Sequence, residues 1–265
     1  MLIDTHCHLD DPDLSGDLDG VVARALAAGV GRMVTISTHM STLPAVRAVA
    51  ERFPNVWFSV GVHPHHAADD GEMPTVDQLV AVARHPKAAG IGECGLDYFY
   101  EHSPRDQQQE GFRRHIRAAL QTGLPLIVHT RDAEEDTMRI LREEADGKGL
   151  RGVLHCFTSS RWLAEQAVGF GFYISLSGIL TFKKSADLRE TAKHVPLERL
   201  LVETDAPWLA PEPHRGKNNE PAFVVHTAAV LAGLKGIPVE ELARKTTENA
   251  LRLFDRMSAP ASSLT

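Results

Sequence analysis

Eight short apolar runs, each followed by a stretch with helical spacing, constrain the fold of this 265-residue chain more than any other feature. They are Leu2 to Thr5, Arg32 to Ser37, Val56 to Val62, Ala88 to Glu93, Pro125 to His129, Gly152 to Cys156, Phe172 to Ser177 and Leu200 to Glu203. Their apolar character is continuous, as expected of parallel strands covered on both faces. Between the first two, Leu18, Val21, Val22, Ala25 and Leu26 share one helical face, with Gly29 placed to stop the helix. Val76, Leu79, Val80 and Ala83 mark another helix. Ser103 and Pro104 read as N-cap and first-turn proline before Phe112, Ile116 and Leu120, and Asp132 with Glu135 has capping-box spacing before Met138 and Leu141. Eight such units predict an α/β chain closed into a TIM (β/α)8 barrel, a single domain over residues 1–257. An open doubly wound sheet is disfavoured, because no glycine-rich phosphate turn follows the first run. Extra C-terminal helix is expected after Pro238, with Leu242, Leu251, Leu253 and Phe254 on its buried side, and Ser258 to Thr265 reads as a flexible tail.

No apolar stretch approaches the roughly 20 residues of a membrane span, and the N-terminus lacks a secretory pattern, so a cytoplasmic protein without membrane contact is expected. Cys7, Cys94 and Cys156 lie in apolar runs and read as reduced, buried thiols. The net charge of -7 gives no global attraction for nucleic acid; a polyanionic substrate must be drawn by a local site. No obligate protein partner is implied.

In such a barrel the active site gathers at the C-terminal ends of the strands. Those ends carry His6 and His8 on the first run, His63 on the third, Glu93 on the fourth, His129 on the fifth, His155 on the sixth, and Glu203 with Asp205 on the eighth. His6 and His8, two residues apart on a strand, face the same way. With 14 histidines in the chain such a pair arises by chance, and a lone His129 or His155 after apolar residues is more often a satisfied core histidine. Several at equivalent barrel positions reverse that reading. Imidazoles mixed with carboxylates suit divalent Zn, Mn, Mg, Fe or Ni, and there are enough of them for two ions sharing a carboxylate. His39, His66, His85, His102, His115, His194 and His226 lie off the strand ends and read as surface residues.

Together these residues resemble the TatD family of metal-dependent hydrolases, within the amidohydrolase-like barrels. The resemblance runs through Asp4-Thr5-His6-Cys7-His8, Gly61-Val62-His63-Pro64-His65, Gly92-Glu93-Cys94-Gly95-Leu96-Asp97-Tyr98, His129-Thr130-Arg131, His155-Cys156-Phe157 and Glu203-Thr204-Asp205-Ala206-Pro207, nearly the whole chain. It implies two divalent ions, one among His6, His8, Glu93 and Asp205 and one among Glu93, His129 and His155, with Glu93 bridging. It also implies a deoxyribonuclease with 3'-to-5' exonuclease action on single-stranded nucleic acid; relatives deacylate D-aminoacyl-tRNA. No lysine ends the fourth run, so Glu93 takes the bridging place that a carboxylated lysine holds in other amidohydrolase-like barrels.

For the reaction, Asp205 is the expected ligand and general base, Glu203 an orienting residue behind the ligands or part of a rim salt bridge, and His63 a contact to substrate or leaving oxygen. Arg215, Lys217 and Lys183 are candidates to grip phosphate, and Tyr98 or Phe99 to stack on a base. Family members commonly carry an arginine in the stretch after Lys217, where this chain has Asn218. A D-aminoacyl-tRNA deacylase, a small-molecule amide, lactone or ester hydrolase, and a non-catalytic metal-binding or scaffold protein are the alternatives.

Overall fold

The protein, described over residues 1–258 in a computed structural model, forms the expected barrel. Its strands are β1 (Leu2–Cys7), β2 (Val30–Thr35), β3 (Val56–Val60), β4 (Ala88–Asp97), β5 (Leu126–Arg131), β6 (Gly152–Leu154), β7 (Tyr173–Leu176) and β8 (Leu200–Val202). They pair in chain order, all parallel. Closure runs through the chain just beyond β8: His8 N donates to Ala206 O (2.8 Å) and Asp205 N to His6 O (2.9 Å). The helices are α1 (Pro12–Ser15), α2 (Leu18–Ala27), α3 (Leu43–Arg52), α4 (Val76–Ala83), α5 (Arg105–Thr122), α6 (Glu134–Ala145), α7 (Arg161–Phe170), α8 (Ala186–His194), α9 (Val224–Lys235) and α10 (Val239–Leu253).

The interior is layered. At the bottom, Ile3, Val34, Trp57, Ala89, Ile127, Val153, Tyr173 and Leu201 contribute one side chain per strand to an apolar plug. The C-terminal segment closes it from below with Ala250, Leu253, Phe254 and Met257. Each large side chain buried here contributes about 1.5–3 kcal/mol. Small hydroxyls form the next layer: Thr5 Oγ1 lies 3.2 Å from Ser175 Oγ, and Ser37 N donates to Ser59 Oγ (3.0 Å). Histidines and carboxylates fill the mouth above them. Among the described residues no single helix is long and apolar enough to cross a membrane.

Some local expectations are corrected. The hydroxyl of Ser103 does not cap α5, whose N-cap is Pro104; it donates to His65 O (2.8 Å) and accepts from Ala68 N (3.0 Å), stitching two mouth loops together. Asp132 takes a left-handed backbone (φ 53) and α6 begins after Ala133 without a side-chain cap. In α10, Leu242 and Leu253 are buried as expected, followed by Phe254, whereas Leu251 is only partly so. Ser258 belongs to the last 3-10 turn (Asp255–Ser258), and the rest of the expected tail, 259–265, lies outside the described residues.

Candidate metal centre

Strict alternation along β1 cannot send Ile3 and Cys7 to opposite faces, yet Ile3 packs inside the barrel and Cys7 outside. A register shift in the β1–β2 pairing between Asp4 and Cys7 resolves this and turns His6 and His8 inward together. On β4, Gly92 and Gly95 flank Glu93, both at φ 136, where a Cβ would strike the carbonyls of Ile127 and His129. Only glycine lets β4 press this closely against β5 while presenting Glu93 to the centre. Asp205 (φ 58) and Cys156 (φ 42) also hold left-handed backbone, at about 1 kcal/mol each.

The side chains converge as two groups around Glu93. In the first, His6 Nε2 lies 3.3 Å from His8 Nε2, 3.5 Å from Asp205 Oδ1 and 3.4 Å from Glu93 Oε2, and His8 Nε2 lies 3.4 Å from Asp205 Oδ1. Four ligands about 2.1 Å from a tetrahedral ion stand about 3.4 Å apart, so these atoms match one divalent ion. In the second, Glu93 Oε1 faces His129 Nδ1 at 3.2 Å, His63 Nε2 at 3.3 Å and His155 Nε2 at 2.6 Å. His155 approaches without hydrogen-bond alignment, and both its ring nitrogens are buried without a hydrogen-bond partner, as is His6 Nδ1. The 2.6 Å spacing is tighter than two ligands of one ion adopt, so the second group fits an ion less closely than the first.

Tautomers separate the roles. His129 Nε2 donates to Asp97 Oδ2 (3.0 Å), so its Nδ1 lone pair meets Glu93 Oε1, and a proton or a cation must lie between them. His63 is different: its Nδ1 accepts from His65 N (3.1 Å), and burial drives its imidazole down to about 3. The ring is therefore neutral with its proton on Nε2. It presents a donor to the site, at an atom that also lies within ligand distance.

Burial would raise the Glu93 carboxyl, but the imidazoles of His155, His63 and His129 hold it well below the ordinary range. Asp205 is held down in the same way, chiefly by the His8 and His6 rings acting against burial. Burial works against charging His155, yet Glu93 and Glu203 raise it well above the ordinary value. Glu203 sits behind: its Oε1 accepts from Cys156 N (2.6 Å) and lies 3.3 Å from His155 Nδ1, a position suited to orienting that ring. Cys7 and Cys94 are buried as expected, in the apolar layer outside the barrel, whereas Cys156 is only half-buried, beside Ser177 Oγ (3.2 Å) and with a left-handed backbone.

Asp97, quoted above only within a motif, is a positioning residue that no site assignment singled out. Oδ2 accepts from His129 and from His65 Nε2 (2.8 Å), while Oδ1 accepts from the Phe99 and Tyr100 amides. Burial notwithstanding, the His129 and His65 hydrogen bonds hold its carboxyl far below the ordinary value. The signal was present in the strand period, since Glu93, Gly95 and Asp97 share a face of β4. Asp97→Asn is expected to weaken metal binding about 10- to 100-fold with the fold retained, read by chelator competition and thermal melting. Unchanged affinity would remove Asp97 from this role.

Two side chains depart from expectation. Tyr98 cannot stack on a base: it points between α5 and α6, donating to Asp136 Oδ2 (2.8 Å) and accepting from Gln109 Nε2 (2.8 Å). Strand alternation that turns Asp97 inward turns Tyr98 outward. His115 is not at the surface but fully buried, its Nε2 accepting from Val62 N (3.0 Å) and its Nδ1 donating to Gly111 O (2.7 Å). Phe99 and Tyr100 stay 54% and 51% exposed, with the Arg131 guanidinium 3.9 and 4.7 Å from their rings. Lys183, Arg215 and Lys217 are exposed; Arg215 lies 3.7 Å over the Phe182 ring. Beside Asn218, buried Asn219 anchors the loop after β8, donating to Thr204 O (2.9 Å) and Trp208 O (2.7 Å).

A barrel with histidines and carboxylates gathered over its strand ends defines the class of metal-dependent hydrolases. Within it, the chain belongs to the TatD family: the family model described as TatD related DNase matches residues 3–255. A relative from Escherichia coli (strain K12), named an uncharacterized metal-dependent hydrolase, YcfH, is 46% identical over 257 residues, 96% of each chain. A protein from Citrobacter koseri named 3'-5' ssDNA/RNA exonuclease TatD is 35% identical, covering 96% of this chain and 98% of its own. Among solved structures, YJJV, a TatD homolog from Escherichia coli k12, superposes with a TM-score of 0.89 at 30% identity, over 96% of this chain and 98% of that one.

Proposed function

We propose that this hydrolase is a 3'-to-5' exonuclease acting on single-stranded nucleic acid with two divalent ions. The observation that carries the reading is the rim: exposed aromatic faces stand around a ligand cluster whose two halves share one carboxylate. Phe99 and Tyr100 lie on one side with Arg131, and Trp208, 50% exposed and 4.8 Å from the His8 ring, lies on another. Sequence-tolerant binding of a single strand needs such stacking faces beside cations. The exonuclease name of the Citrobacter relative supports the same reading.

The residues present would hold one ion with His6, His8, Asp205 and Glu93 and another with Glu93, His129 and His155. When bound, the ions supply Lewis acidity toward a phosphoryl oxygen and acidify water. Two such ions against Glu93 and Asp205 leave about two positive charges, which suits a phosphodiester better than a neutral amide. Asp205 turns Oδ1 toward His6 and His8 and is anionic at neutral pH, so its second oxygen can take the proton of the attacking water. His63 Nε2–H is positioned to donate to substrate. Glu203 and Asp97 keep His155 and His129 in place.

Incubation of metal-loaded protein with 5'-labelled single-stranded DNA, RNA, D-aminoacyl-tRNA and a lactone panel tests the proposal. A ladder shortening from the 3' end, with mononucleotide release, is expected; ester or lactone cleavage alone would overturn it. Replacing Phe99 and Tyr100 together by alanine should raise KM for single strands about 5- to 100-fold, with kcat little changed. Hydrolysis of a small chromogenic phosphodiester should be unaffected in that variant. An equal loss on both substrates would assign the two rings to scaffolding.

A further inference from the structure

Outside the central cluster, His39, His66 and Asp69 bring three ligand atoms within 4.8 Å of one another on the rim of the mouth. His39 lies in the loop after β2, His66 ends the 3-10 turn Pro64–His66 after β3, and Asp69 follows three residues on. The two rings have centroids 3.6 Å apart at a 37° tilt. Each ring has an Nδ1 partner of its own: His39 Nδ1 is 2.9 Å from Thr38 Oγ1, and His66 Nδ1 donates to Asp69 Oδ2 (2.8 Å). The His66 Nδ1–Asp69 Oδ2 contact is a proton's place that an ion can take, so both residues can ligate together beside a ring nitrogen of His39.

The loops that carry these residues are fastened to each other. Glu72 accepts from the Met40 and Ser41 amides across the gap, and His63 N donates to Thr38 O (2.9 Å). Asp69 N in turn donates to His66 O (3.2 Å). The His66 ring and the carboxylates of Glu72, Asp69 and Asp10 act on His39, so acidic groups outnumber basic ones around it. The His63 and His66 ring centroids are 6.3 Å apart, which places the cluster beside the central site but separate from it.

We propose that His39, His66 and Asp69 bind a further divalent transition-metal ion of the Zn, Co or Ni class, at the rim of the mouth. Two imidazoles and a carboxylate are the donor set for such ions, and three protein ligands leave a coordination position open. That position takes a phosphate oxygen of the incoming strand and offsets the acidic rim of a chain whose net charge is -7. The ion's presence depends on the three side chains alone; its contact with phosphate rests on the exonuclease reading.

The test is a difference in stoichiometry. Metal-free protein is equilibrated with excess Zn or Co, desalted and measured by elemental analysis, with His39→Gln, His66→Asn and Asp69→Asn in parallel. Wild type is expected to retain one ion per chain more than His39→Gln or His66→Asn, and Asp69→Asn to need a higher free-metal concentration than wild type to keep that ion. Glu93→Gln, altered in the central cluster, should still show the His66-dependent ion. Equal ion content in wild type, His39→Gln and His66→Asn, with matching thermal melts, overturns the site. An intact His66-dependent ion in a protein that cleaves no nucleic acid overturns the exonuclease reading and leaves the site standing.

Discussion

Asp205→Asn is expected to lower hydrolysis of a single-stranded substrate by about 10³-fold while the barrel remains folded. The carboxylate serves twice. Oδ1 completes the first ligand group at 3.5 Å from His6 Nε2 and 3.4 Å from His8 Nε2, and the remaining oxygen is the proton acceptor. An isosteric amide keeps a weak oxygen ligand but removes the base, and positioned general bases contribute about 10²- to 10⁴-fold. Backbone bonds beside it survive, since Asp205 N still donates to His6 O and Trp208 N to Asp205 O (3.0 Å). Single-turnover cleavage at saturating metal, with elemental analysis of the same sample, makes the measurement. Turnover within tenfold of wild type at equal metal content would transfer the proton to another group.

Glu93→Gln should do more damage to metal binding than any other single change. Glu93 turns its two oxygens to the two ligand groups, Oε2 toward His6 and Oε1 toward His63, His129 and His155. A neutral amide supplies one weak oxygen and no charge. Affinity for both ions should fall by well over the about 10- to 100-fold cost of losing an outer-shell partner, and activity should fall below detection. Stability of the metal-free protein should change less. Breaking a buried pair costs about 3–5 kcal/mol when a charge is stranded, but His155 can shed its proton once Glu93 is gone. Calorimetric metal titration and a melt of the metal-free form separate the two effects. Two tightly held ions in Glu93→Gln would exclude a bridging role.

The architecture was legible because each repeat carries its own signal. Apolar runs, helical faces such as Leu18 to Leu26 and the stop at Gly29 report local geometry, and eight of them leave few closed arrangements. Two corrected positions were also legible in principle. His115 shares the α5 face of Phe112, Ile116 and Ala119, and Tyr98 directly follows Asp97, the last residue of β4. Others were not. Ser103 and Asp132 have the composition of caps, but a hydroxyl or carboxylate bonds whichever group the tertiary structure brings nearest, and Ser103 is claimed by Ala68 and His65 from another loop. Cys156 departs from alternation where Glu203, just beyond β8, accepts from its amide.

By itself the sequence determined the number of strands, the end of the barrel that carries chemistry, and the residue types His6, His8, Glu93, His129, His155 and Asp205 that gather there. Those follow from periodicity and donor chemistry, which are local. Only the tertiary structure decided which atoms meet. That Glu93 divides its oxygens between two groups, that Asp97 sets the His129 tautomer, that His63 presents a proton and not a lone pair, and that His39 comes to lie against His66 all depend on strand register, the bulge in β1 and the close contact of β4 with β5 at Gly92 and Gly95. Those quantities arise from closing the whole barrel, where distances of a few ångströms separate residues tens of positions apart, and no local run of sequence specifies them.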